Sequence, residues 1–188
     1  MAHKKLHIGG KTRVDGWEIL DAIPADHVDH VGNANDLSRF PDDTFSEVYA
    51  SHVVEHFDYK DELANTLIEW RRVLIPGGTA LISVPDLDTL CRITLDKETF
   101  SPAHRFDVMR MMFGGHIDKF DYHVVGLNEE FLTHFLSSCG YINVRRVPDL
   151  NRFEDTSRLM VQGIPISLNM IAEKPGLKAV SFGELFRK

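Results

Sequence analysis

The sequence predicts an α/β protein with a mostly parallel sheet. Three observations support this prediction. Short apolar runs alternate with turn signals through the first half of the chain. Between residues 47 and 84 an apolar run, an amphipathic stretch and a second apolar run follow one another, and a strand–helix–strand unit of this kind forms a parallel crossover. Two late apolar runs have no helical pattern between them, which favours an antiparallel pair that closes the sheet.

In the first half, each predicted strand ends at a turn residue. Strands are expected over residues 5–8, 17–20, 27–31, 47–51 and 79–84. The helix before the last strand is predicted by apolar residues at three- and four-residue spacing, namely Leu63, Leu67, Trp70 and Leu74. Acidic residues open this helix and arginines close it, as the helix dipole favours. The run Pro76-Gly77-Gly78 is expected to stop it.

The second half of the chain is more helical. Helices are expected over residues 87–95, 103–113 and 129–139, followed by strands around 142–147 and 165–172. The polar stretch 149–158 joins these two strands. Its Glu154–Arg158 part has two interpretations, a solvated loop in which Asp155 or Thr156 caps a turn, or a lid that gives polar contacts to a substrate.

Composition and charge exclude several classes of protein. The chain has 188 residues and a net charge of −7, and its basic residues do not cluster, which disfavours nucleic acid as a partner. No apolar run approaches the roughly 20 residues of a membrane helix, and the N-terminus lacks a signal-peptide core. Cys91 and Cys139 lie far apart and predict reduced thiols in a cytoplasmic protein. A small-molecule substrate or another protein is therefore the expected partner, while the oligomeric state stays open.

A glycine turn and an acidic residue suggest a nucleotide-type site. Gly9 and Gly10 follow the first strand, where glycine lets a ligand approach the backbone closely. Asp21 ends the second strand, where a carboxylate can accept hydrogen bonds from a ribose diol. The full GxGxxG fingerprint is absent. The segment from Gly10 to Gly16 is also shorter than a helical crossover, so the first βα unit is expected to lack its helix.

The run His52-Val53-Val54-Glu55-His56 matches the HxxEH zinc pattern. That pattern needs a regular helix, which two β-branched valines disfavour, and a third ligand that no second motif supplies. A loop at the mouth of the sheet, where α/β folds place ligands, is the favoured interpretation, and no metal site is predicted. Histidines and acidic residues also gather at 104–123, and His123 lies where the chain returns to the sheet. Its imidazole is a candidate general base.

Several longer motifs carry a family resemblance. They are Leu6–Gly10, Gly16–Asp21, Asp36-Leu37 with Phe40–Phe45, Tyr49–His56, Trp70–Gly78 and, later, Cys139–Tyr141 and Asp155–Arg158 with Pro165–Asn169. With them the sequence resembles the class I S-adenosylmethionine-dependent methyltransferases, and most closely a small methyltransferase type 11-like group with a shortened first crossover. The resemblance covers residues 1–175 as a single methyltransferase-like domain. Residues 87–130 would form a helical insertion on the acceptor side, and 176–188 a C-terminal tail.

The resemblance implies a doubly wound, Rossmann-like sheet of seven strands with an antiparallel last strand. It also implies a pocket for S-adenosyl-L-methionine across the carboxyl ends of the first, second and fourth strands. The residues carried over to this pocket are Ile8, Gly9 and Gly10 at the amino-acid part, Asp21 at the ribose, Asn33 and Ala34 at the adenine, and Ser51 and His52 near the sulfonium.

Such enzymes work largely by aligning donor and acceptor, so the family supplies no general catalytic residue. His123 is the first candidate for the base that a hydroxyl or amine acceptor needs, and His56 is the second. The leading hypothesis is transfer of a methyl group to a small-molecule or saccharide-type acceptor. A second hypothesis is a degenerate binding or regulatory protein, because the third glycine and the first crossover helix are missing and Asn33 replaces an acid. An HxxEH zinc hydrolase is the remote third.

Overall fold

The structure, a computed structural model of the chain, describes residues 4–176. Its strands are β1 (Lys4–Ile8), β2 (Trp17–Asp21), β3 (His30–Val31), β4 (Phe45–Ser51), β5 (Leu74–Pro85), β6 (Ile142–Val147), β7 (Met160–Val161), β8 (Ile164–Pro165) and β9 (Ser167–Glu173). Its α-helices are α1 (Glu62–Val73), α2 (Leu87–Leu95), α3 (Pro102–Phe113) and α4 (Glu129–Ser138). Single turns of 3-10 helix lie at Val54–His56 and Thr156–Arg158.

Seven of the strands form one sheet in the order β3-β2-β1-β4-β5-β9-β6. Strands β1 to β5 pair in parallel, whereas β9 is antiparallel to both β5 and β6. The order reverses between β1 and β4, which makes the sheet doubly wound and places a topological switch point at their carboxyl ends. The predicted fold class and the antiparallel last strand are confirmed.

One face of the sheet carries the main core. Alternate strand residues such as Leu6, Val48 and Ile82 point into it and are almost fully buried. Helices α1 and α4 contribute Leu67, Trp70, Leu132 and Leu136 to the same cluster. The indole Nε1 of Trp70 donates to the carbonyl of Ala34 over 2.7 Å, so the buried ring keeps its one polar atom paired.

The opposite face is covered in an unusual way. Strands β1 and β2 are parallel, yet residues 10–16 between them contain no helix, as predicted. A parallel sheet is stable only when both faces are covered. The connection at 149–158 does this here, because Leu150 and Phe153 pack on Tyr49 and Leu81, which are paired across β4 and β5. The polar stretch predicted from sequence therefore carries two buried apolar anchors.

Elsewhere the structure corrects element bounds. The predicted strand 27–31 is reduced to the two residues of β3. Strand β5 begins at Leu74, directly after α1, and contains Pro76-Gly77-Gly78 as an irregularity: Leu74 pairs with Phe45 and Thr79 with Glu47. Four β5 residues therefore lie opposite one β4 residue. This irregularity breaks the alternation of apolar and polar residues, so the sequence pattern did not predict this part of β5.

The small hairpin β7–β8 was not predicted. Its turn residues Gln162 and Gly163 both have positive φ, 48° and 79°. A two-residue hairpin turn needs such angles, but Gln-Gly is a weak sequence signal for it. Ile166 beside the hairpin clusters with Leu90 and Ile93 of α2 and Val108 of α3, and with Phe100 from the connection between these helices.

The predicted helices match α2, α3 and α4 to within one residue. Apart from its first residue, the predicted tail at 176–188 lies outside the described residues. No helix within 4–176 is both long and apolar enough to cross a bilayer.

Candidate active site

The carboxyl ends of β1, β2 and β4 bring predicted cofactor residues to one edge of the sheet. Buried Ile8 pairs with Leu20 on β2 and with Ala50 on β4, so the residues that follow these strands are neighbours. Gly9 turns away from β1 with φ 73°, and its N–H donates to the carbonyl of Leu20 over 2.8 Å. A Cβ at Gly9 would lie 3.1 Å from the Val53 Cγ2 atom after β4. Glycine therefore serves both the turn and the close approach of the two segments.

Gly10 is needed for a different reason. A Cβ at this position would lie 2.7 Å from both Cγ and Nδ1 of the His7 ring. His7 is 5% exposed, and its ring packs against two aromatic rings, with centroid distances of 3.9 Å to Phe153 and 4.9 Å to Tyr49. Burial lowers the pKa of His7 to about 4, so the imidazole is neutral at physiological pH.

Asp21 ends β2 and is buried. Its Oδ1 accepts from the Ile23 N–H over 2.8 Å, and its Oδ2 forms an ion pair with Lys11 Nζ at 2.6 Å. The Lys11 side chain is 70% exposed. One carboxylate oxygen is thus held by the backbone, while the other is covered by a solvent-exposed lysine from the short first crossover.

Asn33 and Ala34 follow β3 at the same edge. The Gly32 N–H donates to the Asp21 carbonyl over 3.0 Å, which ties this segment to the end of β2. Asn33 is exposed, whereas Ala34 is half-buried and packs against the main core. The structure therefore brings both residues to the side of Asp21.

The 149–158 connection reaches the end of β4. The Tyr49 hydroxyl donates to Asp155 Oδ2 over 2.8 Å, and Ser51 Oγ lies 2.9 Å from Thr156 Oγ1. Asp155 also caps the 3-10 turn, because its Oδ1 accepts from the Ser157 N–H. A capped turn and a lid with polar contacts are therefore compatible interpretations of this stretch. The turn that Asp155 caps also places Thr156 beside Ser51, one of the predicted cofactor residues.

His52 follows β4 with φ 55° and a fixed ring orientation. Its Nε2 lies 3.0 Å from Ser167 Oγ, and that hydroxyl donates to the Thr156 carbonyl over 2.7 Å. Because the single hydroxyl proton is used there, His52 Nε2–H must be the donor to Ser167. The unprotonated Nδ1 then faces Glu55 Oε1 at 3.6 Å. Burial lowers the pKa of His52 to about 4.

Glu55 lies in the 3-10 turn after His52 and is 1% exposed. Neither carboxylate oxygen has a hydrogen-bond partner among the described residues. Burial raises the pKa of Glu55 to about 8. The backbone carbonyl of Glu55 accepts from the N–H groups of Val124 and Val125, at 2.9 and 3.3 Å. These bonds draw the segment that carries His123 onto the turn.

The two candidate bases meet at Glu55. His123 Nε2 lies 3.9 Å from Glu55 Oε1, and the His56 and His123 ring centroids are 4.9 Å apart. His123 Nδ1 bonds to the Met111 carbonyl at 2.9 Å and His56 Nδ1 to the Tyr122 carbonyl at 3.0 Å. A carbonyl can only accept, so both Nδ1 atoms carry hydrogen. We call His52, Glu55, His56 and His123 the histidine–glutamate cluster.

The HxxEH motif does not form the zinc helix that its pattern describes. His52 precedes the turn, and only Val54–His56 are helical, in 3-10 conformation. The partners of the motif come from far along the chain, and sequence spacing gave no signal for Thr156 or Ser167. Of the other histidines considered, His104 bonds near the start of α3 and His116 stacks on Tyr122, both on the surface.

Two cavities lie near α2. A small one of about 10 Å³ is lined by His123 together with Pro85, Leu87, Leu90, Met112, Val125 and Gly126. A larger cleft of about 320 Å³ lies between α2 and the hairpin and is lined by Thr89, Arg92, Ile93, Asp96, Phe100 and Ile164. The larger cleft touches neither the cluster nor the predicted cofactor residues. The small cavity, beside His123 and the end of β5, is the one adjacent to the site.

A doubly wound sheet with a glycine turn after β1 and an acid after β2 defines the class of nucleotide-cofactor-binding α/β proteins. Comparison with known proteins finds a family match over part of the chain. Residues 16–82 match the family described as a methyltransferase domain. No curated protein sequence matches the chain.

Solved structures share the fold at low identity. The CurJ carbon methyltransferase has a TM-score of 0.54 and 15% identity over 93% of this chain, which spans only 49% of that protein. A SAM-dependent methyltransferase from Archaeoglobus fulgidus has a TM-score of 0.56 and 17% identity over 92% of this chain and 86% of its own. The Burkholderia thailandensis 1,6-didemethyltoxoflavin-N1-methyltransferase, solved with S-adenosylhomocysteine, has a TM-score of 0.54 and 14% identity over 92% and 72%.

The chain therefore has the fold of the class I S-adenosylmethionine-dependent methyltransferases, and its residues 16–82 match a methyltransferase domain, as the sequence resemblance indicated.

Proposed function

We propose that this protein is an S-adenosylmethionine-dependent methyltransferase that acts on a hydroxylated small molecule, including saccharide-type acceptors. One observation carries the proposal. The glycine turn after β1 and the carboxylate after β2 share an edge with the histidine–glutamate cluster after β4. A cofactor site and an acceptor site would thereby be adjacent across the switch point of the sheet.

The residues at this edge fit the cofactor. Gly9 presents backbone without a side chain, and Asp21 offers a buried carboxylate at the position where a ribose diol is bound in such folds. Lys11 is the one obstacle, since it covers Asp21 Oδ2 at 2.6 Å. The lysine end of this pair is 70% exposed and screened by solvent, so moving the Lys11 side chain aside is expected to cost little, about 1 kcal/mol. When bound, the cofactor supplies an electrophilic methyl group on a sulfonium.

The chain's own residues would orient the two reactants and accept a proton. Asp21 would hold the ribose, Asn33 and Ala34 would border the adenine, and Ser51 and His52 would lie near the reacting methyl group. His123 and His56 lie on the acceptor side, and hydrogen bonds to carbonyls fix their Nδ1 atoms as donors. Each Nε2 is then free to take the proton of an acceptor hydroxyl. Since alignment supplies most of the rate enhancement in such reactions, fixed rings on a rigid sheet edge suit this role.

Calorimetric titration with S-adenosylhomocysteine tests the cofactor site. The wild-type chain is expected to bind it, and Asp21→Asn to weaken binding about tenfold or more, because a charged hydrogen-bond acceptor is lost. Lys11→Ala should leave binding unchanged or tighten it up to about fivefold. Lys97→Ala, in the connection between α2 and α3, is the matched lysine control and should have no effect.

Transfer is tested with methyl-labelled cofactor and a panel of sugars and small alcohols. Label in an acceptor supports the proposal. Absence of cofactor binding at millimolar concentration would overturn it. Cofactor binding with no transfer to any hydroxylated compound would favour the binding or regulatory protein instead. A Lys11→Ala variant that binds more than tenfold more weakly would show that the lysine belongs to the site.

A further inference from the structure

The histidine–glutamate cluster contains an electrostatic imbalance. Glu55 is buried with no hydrogen-bond donor at either oxygen, and no Lys or Arg within residues 4–176 forms an ion pair with it. Its nearest charged or polar neighbours are imidazoles. A buried carboxylate without a donor is costly, so its environment calls for a positive partner.

We propose that Glu55, His56 and His123 bind a divalent first-row transition-metal ion of the zinc type. One ligand atom of each of the three side chains lies within 4.8 Å of the others. The sequence pattern does not predict this site, because HxxEH indicates His52 and His56 as the ligand pair. Here the glutamate is a ligand, and the second histidine comes from a segment 67 residues beyond His56.

The hydrogen-bond pattern around Glu55 suits a bound cation. His123 Nε2 and His52 Nδ1 both face Glu55 Oε1, and both are lone-pair nitrogens, because the other nitrogen of each ring is held as a donor. Two acceptors and a carboxylate therefore converge without a donor between them. Histidine ligands of metals commonly donate their second N–H to a backbone carbonyl, as His123 does to Met111 and His56 to Tyr122.

The distances agree with an ion rather than with direct hydrogen bonds. The separations of 3.6 and 3.9 Å from Glu55 Oε1 exceed the hydrogen-bond range. Two ligand atoms that each lie about 2.0–2.1 Å from a tetrahedral zinc ion are separated by about 3.3 Å. The His123–Glu55 pair is within a small side-chain rotation of that value.

Ligand chemistry sets the class of ion. Imidazole and carboxylate together suit zinc, cobalt and related ions better than calcium or magnesium, which prefer oxygen alone. Three protein ligands leave a coordination position open, and one of the three, His123, also lines the small cavity. If the proposed function holds, an acceptor hydroxyl would bind at this position, and the ion would lower its pKa. In the ion-bound chain the Nε2 atoms of His56 and His123 would be ligands in place of bases, and His52 Nδ1 would accept the released proton.

Metal binding can be measured without any cofactor or acceptor. The full chain is stripped with EDTA, dialysed, and titrated with Zn²⁺ by calorimetry and with Co²⁺ by its visible absorption. One ion per chain is expected, with a rise in Tm. Glu55→Gln and His123→Ala should each weaken binding about 10- to 100-fold. His134→Ala and Glu130→Gln, on the exposed side of α4, are matched controls and should bind like the wild type.

A third ligand variant and a cofactor titration of the metal-free chain separate failure of the metal site from failure of the cofactor site. His56→Ala changes a half-buried residue and should leave the apo-protein folded while it weakens Zn²⁺ binding and its effect on Tm. Failure of Zn²⁺ and Co²⁺ to bind at 100-fold excess overturns the site, as does binding that all three ligand variants retain. Binding of S-adenosylhomocysteine by the metal-free chain tests the cofactor site separately, so either proposal can fail alone.

Discussion

The buried His7 predicts a specific dependence of stability on pH. Desolvation lowers the pKa of His7 in the folded chain to about 4. The charge of Asp155 raises this pKa and the charge of Lys11 lowers it, both by less than desolvation does. An unfolded histidine has a pKa of about 6.5. Between these values the unfolded state binds a proton that the folded state excludes. Stability from His7 is therefore complete above about pH 6.5 and is lost as the pH falls towards 4.

The magnitude follows from the pKa difference. At about 1.4 kcal/mol per pH unit, the free energy of unfolding should fall by about 3 kcal/mol through His7 alone. His7→Leu removes the titrating group and a nitrogen, Nδ1, that has no partner within the described chain. At pH 7.5 the free energy of unfolding of the variant should lie within about 1 kcal/mol of the wild-type value. Removing an unpaired polar group is stabilising and offsets part of the ring contacts that are lost.

Urea unfolding of both proteins at pH 7.5, 6, 5 and 4.5, in EDTA, measures the difference. Over this pH range the free energy of unfolding of the wild type is expected to fall by up to about 3 kcal/mol more than that of His7→Leu. His134→Leu, which changes an exposed histidine of α4, should keep the wild-type slope. Parallel curves for wild type and His7→Leu would refute a neutral, buried His7.

Two further substitutions test how the glycine turn and the 149–158 connection are held. Gly10→Ala should cost about 1–3 kcal/mol, because its Cβ meets the His7 ring at 2.7 Å, and a second change, His7→Ala, should remove most of that cost. Gly32→Ala, whose Cβ has its nearest neighbour at 3.7 Å, is the control, and additive effects in the double variant would contradict the clash. Tyr49→Phe should cost about 2 kcal/mol and speed proteolysis within 149–158, since the bond to a carboxylate is lost. Exposed Tyr59→Phe should do neither, and an unchanged cleavage rate in Tyr49→Phe would show that the apolar anchors alone hold the connection.

The sequence determined whatever depends on local pattern. The spacing of Leu63, Leu67 and Trp70 gave α1, and the seven residues from Gly10 to Gly16 correctly predicted a crossover without a helix. Asp21 was placed at the end of β2 because strand ends follow apolar runs. These features depend on neighbours in sequence, whose periodicity a strand or helix imposes directly.

Only the tertiary structure decided what distant residues do together. No pattern indicates that Phe153 covers the sheet face that the first crossover leaves bare, because any apolar anchor would fill that space. Likewise the sequence presents His56 and His123 as two separate candidate bases, and it presents Glu55 only as part of the HxxEH pattern. The bonds from Val124 and Val125 to the Glu55 carbonyl bring the three together, and burial then leaves the carboxylate without a partner. Sequence supplies the chemical groups, whereas their distance and desolvation arise only when the chain closes on itself.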